Sequence, residues 1–280
     1  MILRAHGKIN LSLDIVGKRE DGYHLLKMVM QSIELHDEIE LYERADGISL
    51  SCDKEYVPTD QRNIAYKAAE LLLRDAKEKR GVHIHIKKNI PVAAGLAGGS
   101  TDAAAVLKGL NAFYELGYSE EALMSLGLSL GADVPFCLKG GTCLCEGIGE
   151  VVTPLPSFQN KTLVLVKPPF GVSTKDAYGA FSLEKINRHV ETGKLISAMQ
   201  QEDLHGVHYY VRNLLENVVL QKHPVVKSIK QQVAKSGAQV TLMSGSGPTV
   251  YGIYEEEAVA RKAVEALRRY GNEVILTKTT

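Results

Sequence analysis

The stretch PVAAGLAGGSTD, residues 91–102, decides how the rest of the chain is interpreted. It follows VHIHIKK, residues 82–88, whose apolar/polar alternation predicts a half-buried strand. It precedes AAAVLKGL, residues 103–110, which is typical of a helix start, so the stretch is a strand-loop-helix joint. Its three glycines permit backbone conformations that are closed to other residues, and they let a ligand approach the backbone closely.

A loop of this kind favours a bound anion, and phosphate is the ligand that we predict. The first N–H groups of a helix have no internal partner and lie at the positive end of the peptide dipoles. Ser100, Thr101 and Asp102 add caps and hydroxyls at the helix start. The alternative is a tight strand-to-helix turn without a ligand. The Gly-Lys-Ser/Thr end of a P-loop and the Gly-x-Gly-x-x-Gly spacing of dinucleotide folds are both missing from the stretch.

The stretch resembles the nucleotide loop of the GHMP small-molecule kinases, whose members include galactokinase, homoserine kinase and mevalonate kinase. The shared pattern is Pro-x-x-x-Gly-Leu-x-Gly-Gly-Ser-[Ser/Thr], and alanine stands at three positions where the glycine-richest members carry glycine. The resemblance implies that ATP is bound by Lys88, Pro91, Val92, Ala93, Ala94, Gly95, Leu96, Ala97, Gly98, Gly99, Ser100 and Thr101. For Lys88 the alternative is a solvated strand end. Asn63 would lie near the adenine, and a helix N-cap is the alternative that we favour.

Length and composition bound the class of protein. The chain has 280 residues, enough for one large domain or two ordinary ones, and its 45% hydrophobic content is that of a globular protein. Lys plus Arg and Asp plus Glu both number 33, which argues against a general nucleic-acid or membrane partner. Four scattered cysteines, the lack of an apolar stretch of membrane-spanning length, and a strand-like start without a signal peptide predict a cytoplasmic protein.

A second chemistry-bearing pattern lies near the N terminus. Residues 4–14 alternate as a strand that places Lys8 and Asn10 on one face, where a lysine is usually solvated. A glycine-bounded polar loop then ends in Tyr23 and His24, which could equally cap a hydrophobic edge. In the resembled family, Lys8 matches the lysine beside the reacting hydroxyl, and Asn10 matches its polar neighbour. Tyr23 and His24 match residues that hold cytosine, which implies a subfamily whose acceptor is a cytidine-diphosphate-linked polyol.

Three later patterns add to this resemblance. Asp133 stands in GADVPF, residues 131–136, where it could simply cap backbone N–H groups, whereas the resembled family has its catalytic aspartate in this motif. Thr174 and Tyr178 fall on one face of a predicted helix. The resemblance implies that they contact the acceptor, with Tyr178 stacked on cytosine; the alternative is an aromatic ring packed on its own helix. MSGSGPTVY, residues 243–251, matches the second glycine-rich motif of the family, with a plain hairpin turn as the alternative.

The predicted fold class is α+β. TPLPSFQN, residues 153–160, is the best linker candidate, so we expect an N-terminal ATP-binding domain over 1–156 and a C-terminal domain over 157–280. In the second domain, strands and helices follow in a β-α-β-β-α-β order, which predicts a ferredoxin-like half whose last helix ends at Tyr270. We expect residues 202–224 to be irregular. The resemblance implies a two-domain GHMP-kinase-like fold, with an N-terminal half like domain 2 of ribosomal protein S5 and the active site in the cleft between the halves.

The resemblance also implies an activity, that of an ATP-dependent small-molecule kinase in non-mevalonate isoprenoid precursor biosynthesis. It would transfer the γ-phosphoryl group of ATP to the 2-hydroxyl of a methylerythritol linked to cytidine diphosphate, with Mg²⁺ bridging the phosphates. Asp133 would accept the proton or orient the hydroxyl, and Lys8 would hold Asp133 ionised and stabilise the developing alkoxide. No acidic metal ligand and no oligomeric state are assignable. The alternatives are another GHMP kinase, for homoserine, mevalonate or a sugar, and a nucleotide-binding module without catalysis.

Overall fold

The chain folds into two units, and each unit draws on separate segments of the sequence. The structure, a computed structural model, describes residues 1–268 and 271–280, with the backbone alone for Lys185. Unit 1 consists of Met1–Gly7, Leu35–Val92 and Ala97–Gly140, and unit 2 consists of Lys8–Glu34, Ala93–Leu96 and Gly141–Thr280. The boundary expected after residue 156 falls inside unit 2, and as a limit between folding domains it stays a prediction.

The secondary structure alternates between strands and helices along the whole chain. The strands are β1 (Ile2–Lys18), β2 (His24–Arg44), β3 (Ile48–Cys52), β4 (Gly81–Lys87), β5 (Thr142–Gly147), β6 (Val151–Pro154), β7 (Thr162–Lys167), β8 (Arg212–Asn213), β9 (Val240–Met243), β10 (Val250–Tyr254) and β11 (Glu273–Lys278). The helices are α1 (Ile64–Asp75), α2 (Gly98–Phe113), α3 (Glu120–Leu128), α4 (Val134–Lys139), α5 (Thr174–Gly179), α6 (Thr192–Gln200), α7 (Leu204–Tyr210), α8 (Glu216–Lys222), α9 (Pro224–Lys235) and α10 (Glu257–Arg268), with a 3₁₀ turn at Leu183–Lys185. Within the described ranges, none of these helices combines the length and the apolar character that a membrane crossing requires.

In unit 1, β3, β4 and the second half of β2, which belong to a seven-stranded sheet, pack their apolar face against alanine-rich helices. β4 pairs antiparallel with the second half of β2 and parallel with β3. The alternation read from the sequence holds, because Val82, Ile84 and Ile86 are fully buried in the core beside the alanines of α1 and α2. Asn63 begins α1, since its Oδ1 accepts a 2.9 Å hydrogen bond from the N–H of Ala65. The favoured N-cap role of Asn63 is therefore confirmed.

In unit 2, an antiparallel sheet has the strand order β11-β7-β10-β9. This order, with helices between the first and second and the third and fourth strands along the chain, is the ferredoxin-like arrangement that the element order predicts. α9 and α10 pack on the sheet, and every residue of β10 is buried. The helix α10 is described as far as Arg268, and its expected end at Tyr270 lies outside the described residues.

Two segments of unit 2 differ from expectation. The linker candidate at residues 153–160 is packed structure, because its start belongs to β6 and the side chain of Phe158 is 1% exposed. The segment 202–224, expected to be irregular, contains α7, β8 and α8. β8 is only two residues long and pairs parallel with β1. Elements this short are stabilised by tertiary contacts and leave little periodicity in the sequence.

Candidate functional site

The glycine-rich loop adopts the conformation that its small residues permit. Ala93, Gly95 and Ala97 have φ values of 52°, 76° and 58°, all in the left-handed region. Glycine takes this region freely, whereas an alanine there costs roughly 1 kcal/mol. Backbone held in such regions is concentrated at ligand sites, where the surrounding structure over-determines it. The loop therefore has a costly conformation immediately before the N terminus of α2, where N–H groups are available to an anion.

The two hydroxyls at the start of α2 have different surroundings. Thr101 is buried, and its Oγ1 donates a 2.5 Å hydrogen bond to the backbone oxygen of His6. Ser100 is half-buried, and its Oγ lies 3.9 Å from the position that a Cβ would take at Gly131. The structure thus brings Ser100 beside the turn that leads to Asp133, while the hydroxyl of Thr101 is engaged with the backbone.

Asp133 occupies the N-cap position of the short helix α4. Its side chain makes no capping hydrogen bond to that helix, so the simple capping alternative is not realised. The residue is half-buried. The catalytic role of Asp133 stays a prediction. Among the described residues, no group of three or more His, Cys, Asp or Glu side chains is placed to hold a metal ion.

Lys8 and Asn10 form a buried polar pair on β1. The Nζ of Lys8 donates a 2.8 Å hydrogen bond to the Oδ1 of Asn10, and Lys8 is 4% exposed. The backbone N–H of Lys8 also donates to the oxygen of Leu96, at 3.1 Å. Tyr251 also binds this strand, because its hydroxyl donates to the backbone oxygen of Asn10 at 3.0 Å. Burial, followed by the charge of Glu216, raises the pKa of Tyr251, so the hydroxyl remains a donor.

The second glycine-rich motif lies against both Lys8 and the first loop. Ser244 donates from its Oγ to the oxygen of Gly95 at 2.9 Å. A Cβ at Gly245 would lie 3.1 Å from the oxygen of Gly95, 3.3 Å from the Nζ of Lys8 and 3.4 Å from the Oδ1 of Asn10. Only glycine leaves this approach open, and its φ of 55° is also left-handed. The motif predicted from the resemblance therefore contacts Gly95 and lies beside Lys8, so it is more than a plain hairpin turn.

Asn213 is a residue of this site that sequence reasoning missed. Its Nδ2 donates to the backbone oxygens of Met243 at 2.8 Å and Gly245 at 2.7 Å, and its Oδ1 accepts from the N–H of Leu215 at 3.0 Å. The carboxamide therefore holds the start of the second glycine-rich motif. The only signal in the sequence is an asparagine in a segment without periodicity, which carries no information about a partner 30 residues away.

Two of the predicted acceptor residues, His24 and Tyr178, form a ring cluster with Phe181 in unit 2. The rings of His24 and Tyr178 have centroids 5.4 Å apart, and Phe181 meets His24 edge-on at 6.1 Å. Burial, and then the charge of Lys18, lowers the pKa of His24 below 6.5. Thr174, at the start of α5, shares a 2.9 Å hydrogen bond with the Oγ of Ser246. Tyr178 therefore packs on His24 from another part of the chain and not only on its own helix.

Tyr23 and Lys88 lie in environments that the sequence did not indicate. Tyr23 is 60% exposed and belongs to no ring pair with His24. Lys88 is buried and ion-paired with Asp37 and Asp102, so it is not the solvated strand end of the alternative interpretation. Direct contacts of both residues with ligands stay predictions.

The predicted site residues divide between the two units. Unit 2 brings together Lys8, Asn10, His24, Ala93, Ala94, Gly95, Leu96, Thr174 and Tyr178, with Tyr23 at its surface. Unit 1 contains Lys88, Pro91, Val92, Ala97, Gly98, Gly99, Ser100, Thr101 and Asp133. The meeting of Lys8 and Asp133 on one hydroxyl stays a prediction.

Comparisons with known proteins agree with this architecture. The model of the GHMP kinases N terminal domain matches residues 63–141, and the model of the GHMP kinases C terminal matches residues 182–273. The chain is 51% identical over 279 residues to the 4-diphosphocytidyl-2-C-methyl-D-erythritol kinase of Clostridium botulinum, covering all of both chains. It is 52% identical over 283 residues to the enzyme of that name from Clostridium perfringens, covering 100% of this chain and 98% of the relative.

Solved structures show the same relationship. A crystal structure of 4-(cytidine 5'-diphospho)-2C-methyl-D-erythritol kinase superposes with a TM-score of 0.86 and 32% identity, covering 100% of this chain and 99% of that one. The homoserine kinase of Cytophaga hutchinsonii superposes with a TM-score of 0.78 and 18% identity, covering 100% and 93%. At the lower identity the similarity extends to the fold alone.

Proposed function

Because this chain belongs to the GHMP kinase family, we propose that it phosphorylates the 2-hydroxyl of 4-diphosphocytidyl-2-C-methyl-D-erythritol with ATP. The reaction releases ADP and serves non-mevalonate isoprenoid precursor biosynthesis. The observation that carries the proposal is the full-length 51% identity to kinases of that name. The ring cluster of His24, Tyr178 and Phe181 supports it, because aromatic surfaces suit a nucleobase better than a small acid such as homoserine or mevalonate.

The loop at residues 91–101 is proposed to bind the phosphates of ATP. The transferring phosphoryl group spreads negative charge over its oxygens, so catalysis depends on positioned donors and on electrostatic stabilisation. The left-handed conformations of Ala93, Gly95 and Ala97 support this role, because they turn the backbone immediately before the N terminus of α2. Backbone N–H groups of a helix start favour phosphate without any added lysine.

Lys8 and Asp133 are proposed to act on the acceptor hydroxyl. Asp133 takes the hydroxyl proton as the acceptor oxygen forms its bond to the γ-phosphorus, and the bond from that phosphorus to the bridging oxygen of ADP breaks. Lys8 stabilises the negative charge on the acceptor oxygen. The hydrogen bond from Lys8 to Asn10 supports this assignment, since it limits the rotamers of the ammonium.

Mg²⁺ is proposed to accompany ATP, and its donors would be mainly phosphate oxygens and water. Mg²⁺ shields the charge of the phosphates when it is bound, and it commonly keeps several of its waters in kinase sites. The hydroxyl of Thr101 is engaged with His6, so Ser100 is the loop hydroxyl that fits a metal or phosphate contact. We propose no carboxylate ligand.

We propose that two ring side chains and one hydroxyl group bind the acceptor. His24 and Tyr178 would hold the cytosine, and Thr174 would contact the acceptor beside Ser246. The partner is thus a small molecule, with no nucleic acid or membrane. No disulfide joins the four cysteines, all of which lie in the part of the chain that the structure describes, and this supports a reducing, cytoplasmic compartment.

A coupled ADP-release assay tests the proposed function. The purified chain is given Mg-ATP with 4-diphosphocytidyl-2-C-methyl-D-erythritol, homoserine or mevalonate in separate reactions. We expect ADP release with the cytidylylated acceptor and none above background with the others. Release with homoserine or mevalonate instead would identify another GHMP kinase. ATP binding without release for any acceptor would indicate a non-catalytic module.

A further inference from the structure

A buried cluster of three charged residues lies where the glycine-rich loop begins and ends. Lys88 lies three residues before Pro91, where the loop begins, and its Nζ donates to the Oδ2 of Asp37 and, at 2.7 Å, to the Oδ2 of Asp102. All three side chains are at most 4% exposed. Asp37 belongs to β2, and Asp102 belongs to the first turns of α2. One ammonium therefore joins a strand of unit 1, the start of the loop and the helix that follows the loop.

Carboxylates also hold the backbone at the loop entrance. The Oδ1 of Asp37 accepts from the N–H of Asn89 at 2.6 Å and of Ile90 at 2.8 Å. The N–H of Lys88 donates to the Oδ1 of Asp53 at 2.8 Å. Three consecutive N–H groups are thus bound by two side chains. Charge-assisted bonds of this kind are stronger than neutral ones and fix the direction of the chain.

The charges of the cluster are a poor device for stability alone. Two carboxylates face one ammonium, and burial of ion pairs costs about as much as their attraction returns. Burial raises the pKa of Asp102 well above that of an ordinary carboxyl, against the attraction of Lys88. Its Oδ1 is buried without a hydrogen-bond partner among the described residues. A buried polar cluster with an unsatisfied oxygen adds little stability. It is better explained by the conformation that it imposes on the neighbouring backbone.

The loop itself needs such an arrangement. Ala93 and Ala97 are held in left-handed conformations that alanine disfavours, and these persist only where neighbouring structure enforces them. The cluster lies at the right place, because a Cβ at Gly98 would be 3.1 Å from the Nζ of Lys88. The ammonium is therefore next to the first residue of α2, one residue after Ala97.

We propose that Asp37, Lys88 and Asp102 form a clamp that holds both ends of the glycine-rich loop in the conformation that binds the phosphates of ATP. The inference rests on the proposed function. The three are positioning residues, and none of them needs to touch ATP. The competing role is a direct contact between Lys88 and the nucleotide, which the family resemblance implies. The clamp requires Asp102, whereas a direct contact of Lys88 with ATP does not.

The test compares variants that remove the clamp with a matched neighbour. Lys88→Met removes the donor and Asp102→Leu removes one acceptor, whereas Asp102→Asn keeps an oxygen for Lys88. Lys87→Met is the control, because Lys87 is the neighbouring residue, at the end of β4, but forms an exposed pair with Glu38. Calorimetric Kd for a non-hydrolysable ATP analogue is measured together with kcat, the KM for ATP and Tm.

We expect Lys88→Met and Asp102→Leu each to weaken binding of the ATP analogue about tenfold and to raise the KM for ATP by a similar factor, with smaller changes in kcat. Asp102→Asn should recover most of the affinity, and Lys87→Met should leave it unchanged. Ala97→Gly added to Lys88→Met should recover affinity, because glycine adopts the left-handed conformation without a clamp. A purely structural role would lower Tm without these changes in Kd.

Three results would overturn the clamp. A normal Kd for the ATP analogue in Asp102→Leu would contradict the clamp. A loss of affinity confined to Lys88→Met would assign Lys88 to direct contact with ATP. A failure of Ala97→Gly to recover any affinity shows that the loop conformation is not what was lost. If Lys88→Met does not fold, the Asp102→Leu and Asp102→Asn pair decides alone. Lack of analogue binding by the unaltered chain would instead contradict the proposed function.

Discussion

The ammonium of Lys8 is held by the side-chain oxygen of Asn10, 2.8 Å away on the same face of β1. Both residues are buried, with exposures of 4% and 1%. A lysine has four rotatable bonds and rarely stays in one rotamer without a partner, so this hydrogen bond selects the position of the charge. The pair explains why an asparagine accompanies the lysine in a strand whose next same-face residue is Ser12.

Removing the partner of Lys8 should reduce turnover. We expect Asn10→Leu to lower kcat about tenfold at unchanged KM for ATP, because the ammonium is no longer positioned, and Lys8→Met to lower it further. Steady-state kinetics measure both. Ser12→Ala is the control, since Ser12 accepts from the N–H of Val29 on the neighbouring strand and does not contact Lys8 in any described bond. Equal losses of kcat in Ser12→Ala and Asn10→Leu would attribute the effect to the strand.

Asp133 should be needed for chemistry and not for ATP binding. We expect Asp133→Asn to lower kcat by about a thousandfold while ATP binding stays normal, because an amide cannot accept the hydroxyl proton. Single-turnover kinetics and calorimetry measure the two properties. Asp203→Asn is a matched control, because Asp203 also occupies an N-cap position without a side-chain cap, at α7. Near-normal turnover of Asp133→Asn would remove the proposed base.

The environment of His24 predicts a pH-dependent contribution to stability. Burial, then the charge of Lys18, holds its pKa below 6.5, so on acidification the unfolded chain binds this proton before the folded chain does. The contribution is fully present above pH 6.5 and is lost as the pH falls through the folded-state pKa. We expect Tm to fall more for the unaltered chain than for His24→Gln as the pH is lowered from 7.5 to 5. A difference that stays constant over this range would contradict the assigned environment.

Gly245 should be required for space as well as for conformation. We expect Gly245→Ala to lower kcat about a hundredfold, because the added methyl group meets the ammonium of Lys8 and the oxygen of Gly95. Gly117→Ala is the matched control, since Gly117 also has a positive φ, 77°, but open space around its Cβ position. Both variants should lose roughly 1 kcal/mol in free energy of unfolding. Comparable kcat values in the two variants would show that only conformation matters.

Local signals in the sequence predicted much of the fold. The strand predicted at residues 82–88 agrees with β4, Gly81–Lys87, because its apolar/polar alternation is a local pattern. Asn63 was favoured as a cap because a short polar side chain before an apolar helical pattern has a local partner. The first glycine-rich loop was also recognisable from its own sequence, because small residues are the types that a tightly turning backbone requires.

Interactions between distant parts of the chain were not predictable in the same way. Lys88 and Asp37 are 51 residues apart, and nothing in either neighbourhood marks the other as its partner. A lysine at a strand end is solvated in most proteins, so burial was the less expected state. Asn213 likewise depends on backbone oxygens at residues 243 and 245. Tertiary polar contacts of this kind leave no periodicity in a single sequence.

The hydrogen bond from Tyr251 reaches the backbone of Asn10 and leaves its side chain uninvolved. Any residue at position 10 would present the same carbonyl oxygen to the same phenol. Asn10→Leu keeps this carbonyl oxygen, so it changes the surroundings of the Lys8 ammonium without removing the bond that holds the strand in place.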